Sequence, residues 1–176
     1  VTTTTLSVRV LDATGAPLAG WPVEVSVSGS NNTVVQPSPS DLAGNAVATI
    51  ASTIAETKVV TVVVGVGANA VTLSAQPTVD FEADPNNLSA TLSTISATPA
   101  GALPDDGTTS ATITVVARDV NGNLVADRSV TLTSSGSGNA LVQPATVTDA
   151  SGTCSGTLAS TTAELKSVGA ILDPAG

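Results

Sequence analysis

The sequence predicts an all-β chain of two β-sandwich modules in tandem, and three observations carry that prediction. The 176 residues hold 41% hydrophobic but only 1% aromatic side chains, with no Met, Tyr or His. The core must therefore be aliphatic and largely β-branched, which suits thin sheets better than helix bundles. Apolar residues alternate with polar ones at a period of two, the pattern of strands with one face on a core. Finally, the first half of the chain aligns with the second.

The alignment sets LSVRVLDATGAPLAGWPVEVSVSG, from Leu6, over ITVVARDVNGNLVADRSVTLTSSG, from Ile113. Asp12 falls on Asp119, Gly15 on Gly122 and Val23 on Val130, an offset of 107 residues, and VVQP (Val34 to Pro37) falls on LVQP (Leu141 to Pro144). Farther on, DLAGNAVATIASTIAETK from Asp41 lies over DASGTCSGTLASTTAELK from Asp149, an offset of 108. One inserted loop residue accounts for the change. Solenoid repeats run to about 20 to 50 residues, so this period fits a whole domain used twice.

Each element follows from its local pattern. Leu6, Val8 and Val10 alternate with Ser7 and Arg9 in one strand, as Ile113, Val115 and Ala117 do in the second copy. Val23, Val25 and Val27 enclose Glu24 and Ser26, and their counterparts Val130 and Leu132 are followed by Ser134, where the apolar pattern ends. Between strands stand DATG, DLAG, DVNG and DASG, with Asp12, Asp41, Asp119 and Asp149 first and Gly15, Gly44, Gly122 and Gly152 fourth. That spacing suits a type I turn whose Asp side chain caps the turn amides and whose Gly tolerates the exit geometry. After Lys58 the first module runs through KVVTVVVG, a GVGAN turn, AVTLSAQ and TVDFEAD. The boundary is placed in ADPNNLS, with Asp84, Pro85, Asn86 and Asn87 as the linker, because Pro85 removes a backbone donor and two Asn follow. The modules are then 1–87 and 88–176. The second opens with an edge strand around Leu92 to Thr98, is interrupted by Pro99 and the turn-rich GALPDDG, and continues in a long strand from Thr109 to Asp119. Val1 aligns with Thr108, so the first module is expected to lack its opening strand. After Lys166 only SVGAILDPAG remains, so the second is expected to lack its last. No segment shows sustained helical periodicity.

These residues resemble a known family, the group 1 bacterial immunoglobulin-like domains of the intimin and invasin adhesins. The resemblance covers almost the whole chain and is carried by STISATPAGALPDDGTTSATITVVARDVNGNLVADRSVTL in the second module and by the TVDFEADP close of the first. It implies tandem immunoglobulin-like Greek-key β-sandwiches repeated along an extracellular stalk, anchored in the outer membrane and tipped by a binding domain. In the first copy one turn reads DATG where the family has D-x-N-G. Neither an anchor nor a lectin-like tip is present in this sequence.

Composition excludes several functions. A net charge of −9, from 5 basic and 14 acidic residues, would repel nucleic-acid phosphates and anionic lipid. Without His there is no imidazole base and no Ser-His-Asp triad, and one Cys excludes an internal disulfide. No run approaches the roughly 18 apolar residues of a membrane span, and VTTTTLSVRV is no signal peptide. Cys154 aligns with Ala46 and shares strand parity with Leu158, which reads as a small core residue rather than a reactive thiol. Trp21 shares parity with Val23 and reads as module-end packing rather than a sugar platform. Asp105 and Asp106, with Asp84, fall short of the six or so oxygens of a tight Ca²⁺ site, so no metal and no cofactor is expected. Asp80, Glu82 and Asp84 alternate with Val79, Phe81 and Ala83, which puts the acids on the solvent face. Asn31 and Asn87 satisfy a glycosylation acceptor pattern that short motifs often satisfy by chance.

The leading expectation is a non-catalytic spacer of a bacterial cell-surface adhesin, extracellular, holding a binding domain away from the cell. Its partners are adjacent immunoglobulin-like modules or neighbouring copies of the chain, with a host or cell-surface receptor reached through other domains. The alternative is a subunit of an extracellular filament in which one chain supplies a strand to its neighbour.

Overall fold

The computed structural model describes residues 2–173; Val1, aligned above with Thr108, and residues 174–176 lie outside the described part. The chain divides into two compact units, Val1–Glu82 and Ala83–Gly176. Residues 84–87, read above as linker, thus fall at the start of the second unit.

In the first unit the strands are β1 (Thr3–Arg9), β2 (Val23–Val27), β3 (Asn32–Val35), β4 (Asn45–Ser52), β5 (Thr57–Val64), β6 (Val71–Thr72) and β7 (Thr78–Asp80). One sheet has the order β1-β4-β3; the other has β2-β5-β6, with β7 also pairing on β5. The pairings are antiparallel. The chain changes sheet between β1 and β2, returns for β3 and β4, and leaves again at β5, a Greek-key path. Alternation in β4 and β5 sends Ala46, Ala48 and Ile50 from one sheet and Val60, Val62 and Val64 from the other into a shared core with Val8, Val10, Val23 and Val25. Each buried Val or Ile contributes roughly 1.5 to 3 kcal/mol. The GVGAN segment makes a short 3-10 turn at Gly67–Asn69.

The second unit repeats the plan with β8 (Thr94–Thr98), β9 (Ala111–Val116), β10 (Val130–Ser134), β11 (Asn139–Val142), β12 (Thr153–Ser160) and β13 (Val168–Leu172). Its sheets are β11-β12-β9-β8 and β10-β13. Ala111, Ile113, Val115, Val130, Leu132, Cys154 and Leu158 form the core. Strand β8 pairs along β9 from Thr94↔Val116 to Thr98↔Thr112 and is exposed along its whole length. It has no counterpart on β1, and β6 and β7 have none on β13, among the described residues. Strand β9 stops at Val116, three residues short of the sequence expectation. The reason is local: the Ala117 amide turns to Gly152 O and Arg118 bridges Leu124, so residues 117–119 already belong to the DVNG turn.

Candidate functional site

Four turns share one construction. In each, the Gly amide donates to the Asp carbonyl oxygen three residues back, at 3.0 Å for Gly15, 2.9 Å for Gly44, 3.0 Å for Gly122 and 2.8 Å for Gly152. The glycines have φ of +86°, +79°, +87° and +68°, the left-handed region that closes a type I turn with a one-residue bulge. At Gly44 a Cβ would also stand 2.4 Å from Val10 O. The Asp carboxylates take two amides each, at positions two and four residues on: Thr14 and Ala16 at Asp12, Ala43 and Asn45 at Asp41, Asn121 and Asn123 at Asp119, Ser151 and Thr153 at Asp149. These bonds favour the charged form and hold all four carboxyls below their ordinary range, led by the Thr14 hydroxyl at Asp12, the Asn45 amide at Asp41 and the Ser151 hydroxyl at Asp149.

Asp119 does more than its three equivalents. It is buried, at 1% exposure, and its second oxygen accepts Asn123 Nδ2 at 2.8 Å and the Asp84 amide at 3.1 Å. Burial alone would raise its pKa, but the bonds from the Asn123 side chain, the Asp84 amide and the turn amides outweigh it. Residues 84–87 are therefore tied down. Asp84 also accepts the Asn86 amide through Oδ1 and the Asn87 amide through its carbonyl, and Asn87 O accepts the Val120 amide at 3.0 Å. Pro85 sits half-buried between these bonds.

Three further polar braces recur in both units, and sequence reasoning missed all three. The Gln36 side chain imitates a strand: Oε1 accepts the Val25 amide at 2.8 Å and Nε2 donates to Val25 O at 2.7 Å. Gln143 does the same to Leu132, at 2.7 and 2.9 Å. The buried hydroxyl of Ser40 donates to Leu18 O and accepts the Trp21 amide, as Thr148 does with Val125 O and the Arg128 amide. Lys58 is fully buried; its ammonium donates to Ser30 O at 2.9 Å and to Glu56. The Lys58 bond is the main cause that lowers the Glu56 pKa. Lys166 reaches Ser137 O and Glu164 in the same way. The available signal was the repeat itself, since Q-P, A-E-x-K and the hydroxyl before each second turn recur at the offset of the duplication.

The remaining candidates fall as follows. Cys154 is 6% exposed in the second core, and burial followed by the Asp149 charge raises its pKa, which suppresses the thiolate. Trp21 is half-buried against the first core and borders a shallow depression of about 270 Å³ with Pro22, Gly65 and Val66. Val79, Phe81 and Ala83 are half-buried while Asp80, Glu82 and Asp84 are exposed. Asp106 caps its own turn, taking the Thr108 and Thr109 amides at 2.7 and 2.6 Å, and the Thr109 bonds drive its pKa far down. Among the described residues no group of three His, Cys, Asp or Glu is placed to hold a metal ion, and no helix is long and apolar enough to cross a membrane. A cavity of about 750 Å³ lies in the second unit between the GALPDDG loop and Ala163 to Val168.

A family model for the bacterial Ig-like domain (group 1) matches residues 1–82 and again 92–175. No curated protein matches the chain. Among solved structures, FdeC, an adhesin of Escherichia coli, is similar over 98% of this chain and 54% of its own, at 22% identity and a TM-score of 0.67. InvD of Yersinia pseudotuberculosis is similar over 97% of this chain and 48% of its own, at 20% identity and a TM-score of 0.62. The chain thus spans about half the length of each, and at these identities the likeness speaks to the fold.

Proposed function

The chain belongs to the bacterial Ig-like domain (group 1) family, and from that premise we propose that it is a non-catalytic spacer segment of a bacterial cell-surface adhesin. The observation that carries this reading is where the polar groups go. The turn carboxylates, Gln36 and Gln143, Ser40 and Thr148, the buried Lys58 and the half-buried Lys166 all bond the chain's own backbone, which leaves them engaged in bracing the fold. Such a module resists deformation and presents no chemistry. Its working location is outside the cell, and on this reading any receptor is engaged by other parts of the parent protein. Two measurements test this. Surface display of an epitope beyond one, two or four copies of the chain should make the epitope progressively more accessible above the surface polysaccharide. The isolated chain should bind host-cell monolayers no better than an unrelated acidic protein. Saturable binding, or accessibility indifferent to copy number, refutes the spacer role.

A further inference from the structure

The duplication leaves one turn chemically different from its three equivalents. Asn121, third residue of the DVNG turn, is the only asparagine in the sequence followed by glycine, and the first copy has Thr14 in its place. An asparagine side chain in that setting is open to attack by its own backbone, because Gly122 has no Cβ to hinder the approach. Asn121 is exposed. What restrains the reaction is the turn. Attack needs the Gly122 nitrogen beside Asn121 Cγ, whereas the third residue of a type I turn has ψ of about 0°, which points the following nitrogen a third of a revolution away from Cβ. That nitrogen is also engaged: its hydrogen is donated to Asp119 O at 3.0 Å, and the Gly122 carbonyl oxygen accepts Arg118 Nη1 at 2.6 Å. The counterpart of Arg118 is Leu11, so this clasp, like the asparagine, belongs to the second copy alone.

We propose that Asn121 is a modification site gated by this turn, a spontaneous deamidation that is suppressed while the turn is closed and proceeds once it opens. The Gly122 nitrogen gives its proton to solvent and bonds to Asn121 Cγ, the Cγ–Nδ2 bond breaks, and ammonia leaves with a proton taken back from solvent. Water then opens the five-membered imide at either carbonyl, giving aspartate or isoaspartate. Water is the only co-reactant. The isoaspartyl product has one more carbon in its main chain, so the amides of residues 121 and 123 no longer both reach Asp119 Oδ1, which takes them at 2.8 and 2.9 Å in the closed turn. The change is one-way and extends beyond the turn. Asp119 Oδ2 holds the Asp84 amide and the Val120 amide holds Asn87 O, so residues 84–87 lose their ties as well. An opening of the turn thus leaves a permanent chemical record in the second unit and none at Thr14 in the first. Nothing here depends on the spacer role, which a failure would leave untouched.

The full chain is incubated in mildly alkaline buffer, folded or in urea, and deamidation at each asparagine is read by peptide mass, with isoaspartate detected by an isoaspartyl methyltransferase. In urea Asn121 should react faster than every other asparagine. In the folded chain it should be slowed about tenfold or more, as for any reaction that waits on local opening. Arg118→Leu installs the first copy's residue and removes the clasp; with the second unit shown to be folded by its Cys154-labelling melt, it should raise the folded-state rate about threefold. Folded chain carrying isoaspartate should exchange the Asp84 amide faster than fresh protein, and Asn121→Thr aged alongside should not. The proposal is overturned if Asn121 is no faster than the other asparagines in urea, if folding does not slow it, if Arg118→Leu leaves the folded-state rate unchanged, or if isoaspartate leaves exchange at Asp84 unchanged.

Discussion

Replacing Gln36 by Ala should destabilise the first unit alone, by an amount that can be worked from the geometry. Strand β2 is the outer strand of its sheet, and the outward amide and carbonyl of Val25 meet no strand; they meet the Gln36 side chain, at 2.8 and 2.7 Å. Val25 is 2% exposed, whereas Gln36 itself is exposed, so water can reach part of the gap left by truncation. Two lost bonds at about 0.5 to 1.5 kcal/mol each, plus partial desolvation of the orphaned groups, come to about 2 kcal/mol. For a unit of this size that lowers the melting temperature by about 8 to 16 °C. The assay is built into the chain. Its only Trp packs on the first core and its only Cys lies in the second, so Trp21 fluorescence and Cys154 labelling report the two units separately. Gln36→Ala should shift the fluorescence melt and leave the labelling melt in place; Gln143→Ala should do the reverse. Gln36→Glu adds a check on sign. A carboxylate facing Val25 O has its pKa raised in the folded state, so stability is regained as pH falls below that value and lost as pH rises through it. A shift under about 2 °C in Gln36→Ala, or equal shifts in both probes, would refute the strand-mimic role of the amide.

Lys58→Ala should cost about 3 kcal/mol, because it removes a buried stem and the donor to Ser30 O together, and Lys166→Ala less, since Lys166 remains 12% exposed; denaturant melts of each unit measure the pair. Asp119→Ala should destabilise the second unit by about 3 kcal/mol and speed hydrogen exchange at the Asp84 amide, whereas Asp12→Ala, an exposed turn with only local bonds, should have a smaller effect in the same assay. The turn carboxyls and Asp106 have folded pKa values below their ordinary one, so their stabilisation is complete above about pH 4 and is lost as pH falls through the depressed values. With no His to titrate, melting temperature should be flat from about pH 5 to 8 and fall steeply below about pH 3.5, which a calorimetric pH series reads directly.

Legibility from sequence followed the physics of each feature. Strands and core were readable because one-sided burial imposes a period of two: Val23, Val25, Ile113 and Val115 lie on the core side as their alternation requires. The fourth-position glycines were readable because a left-handed φ admits few residue types, and D-x-x-G names both ends of the turn. What could not be read were contacts whose partner is a backbone atom far along the chain. Gln36 is a polar residue in an exposed stretch, and nothing local says that its amide completes the edge of a strand eleven residues away. Lys58 occupies an inward position of β5, where its charge argues against burial, and only the fold shows that Ser30 O and Glu56 make burial possible.

The two units also show which features the architecture needs, because the same geometry recurs on different side chains. Ser40 becomes Thr148 and keeps a donated and an accepted backbone bond; Val25 becomes Leu132 and keeps its glutamine; Ala46 becomes Cys154 and keeps its place in the core. A core made mostly of Val and Ala with few Ile or Leu residues is thin, so each sandwich buries little apolar area per strand, and any unpaired edge group weighs heavily against it. The braces sit at those edges: Gln36 and Gln143 on the outer strands, Lys58 and Lys166 beneath the β2–β3 and β10–β11 loops, and Asp119 at the chain entry. Where the copies part company the consequence is local. Thr57, whose hydroxyl donates to Asp80, becomes Leu165, which is exposed and has no hydroxyl to offer.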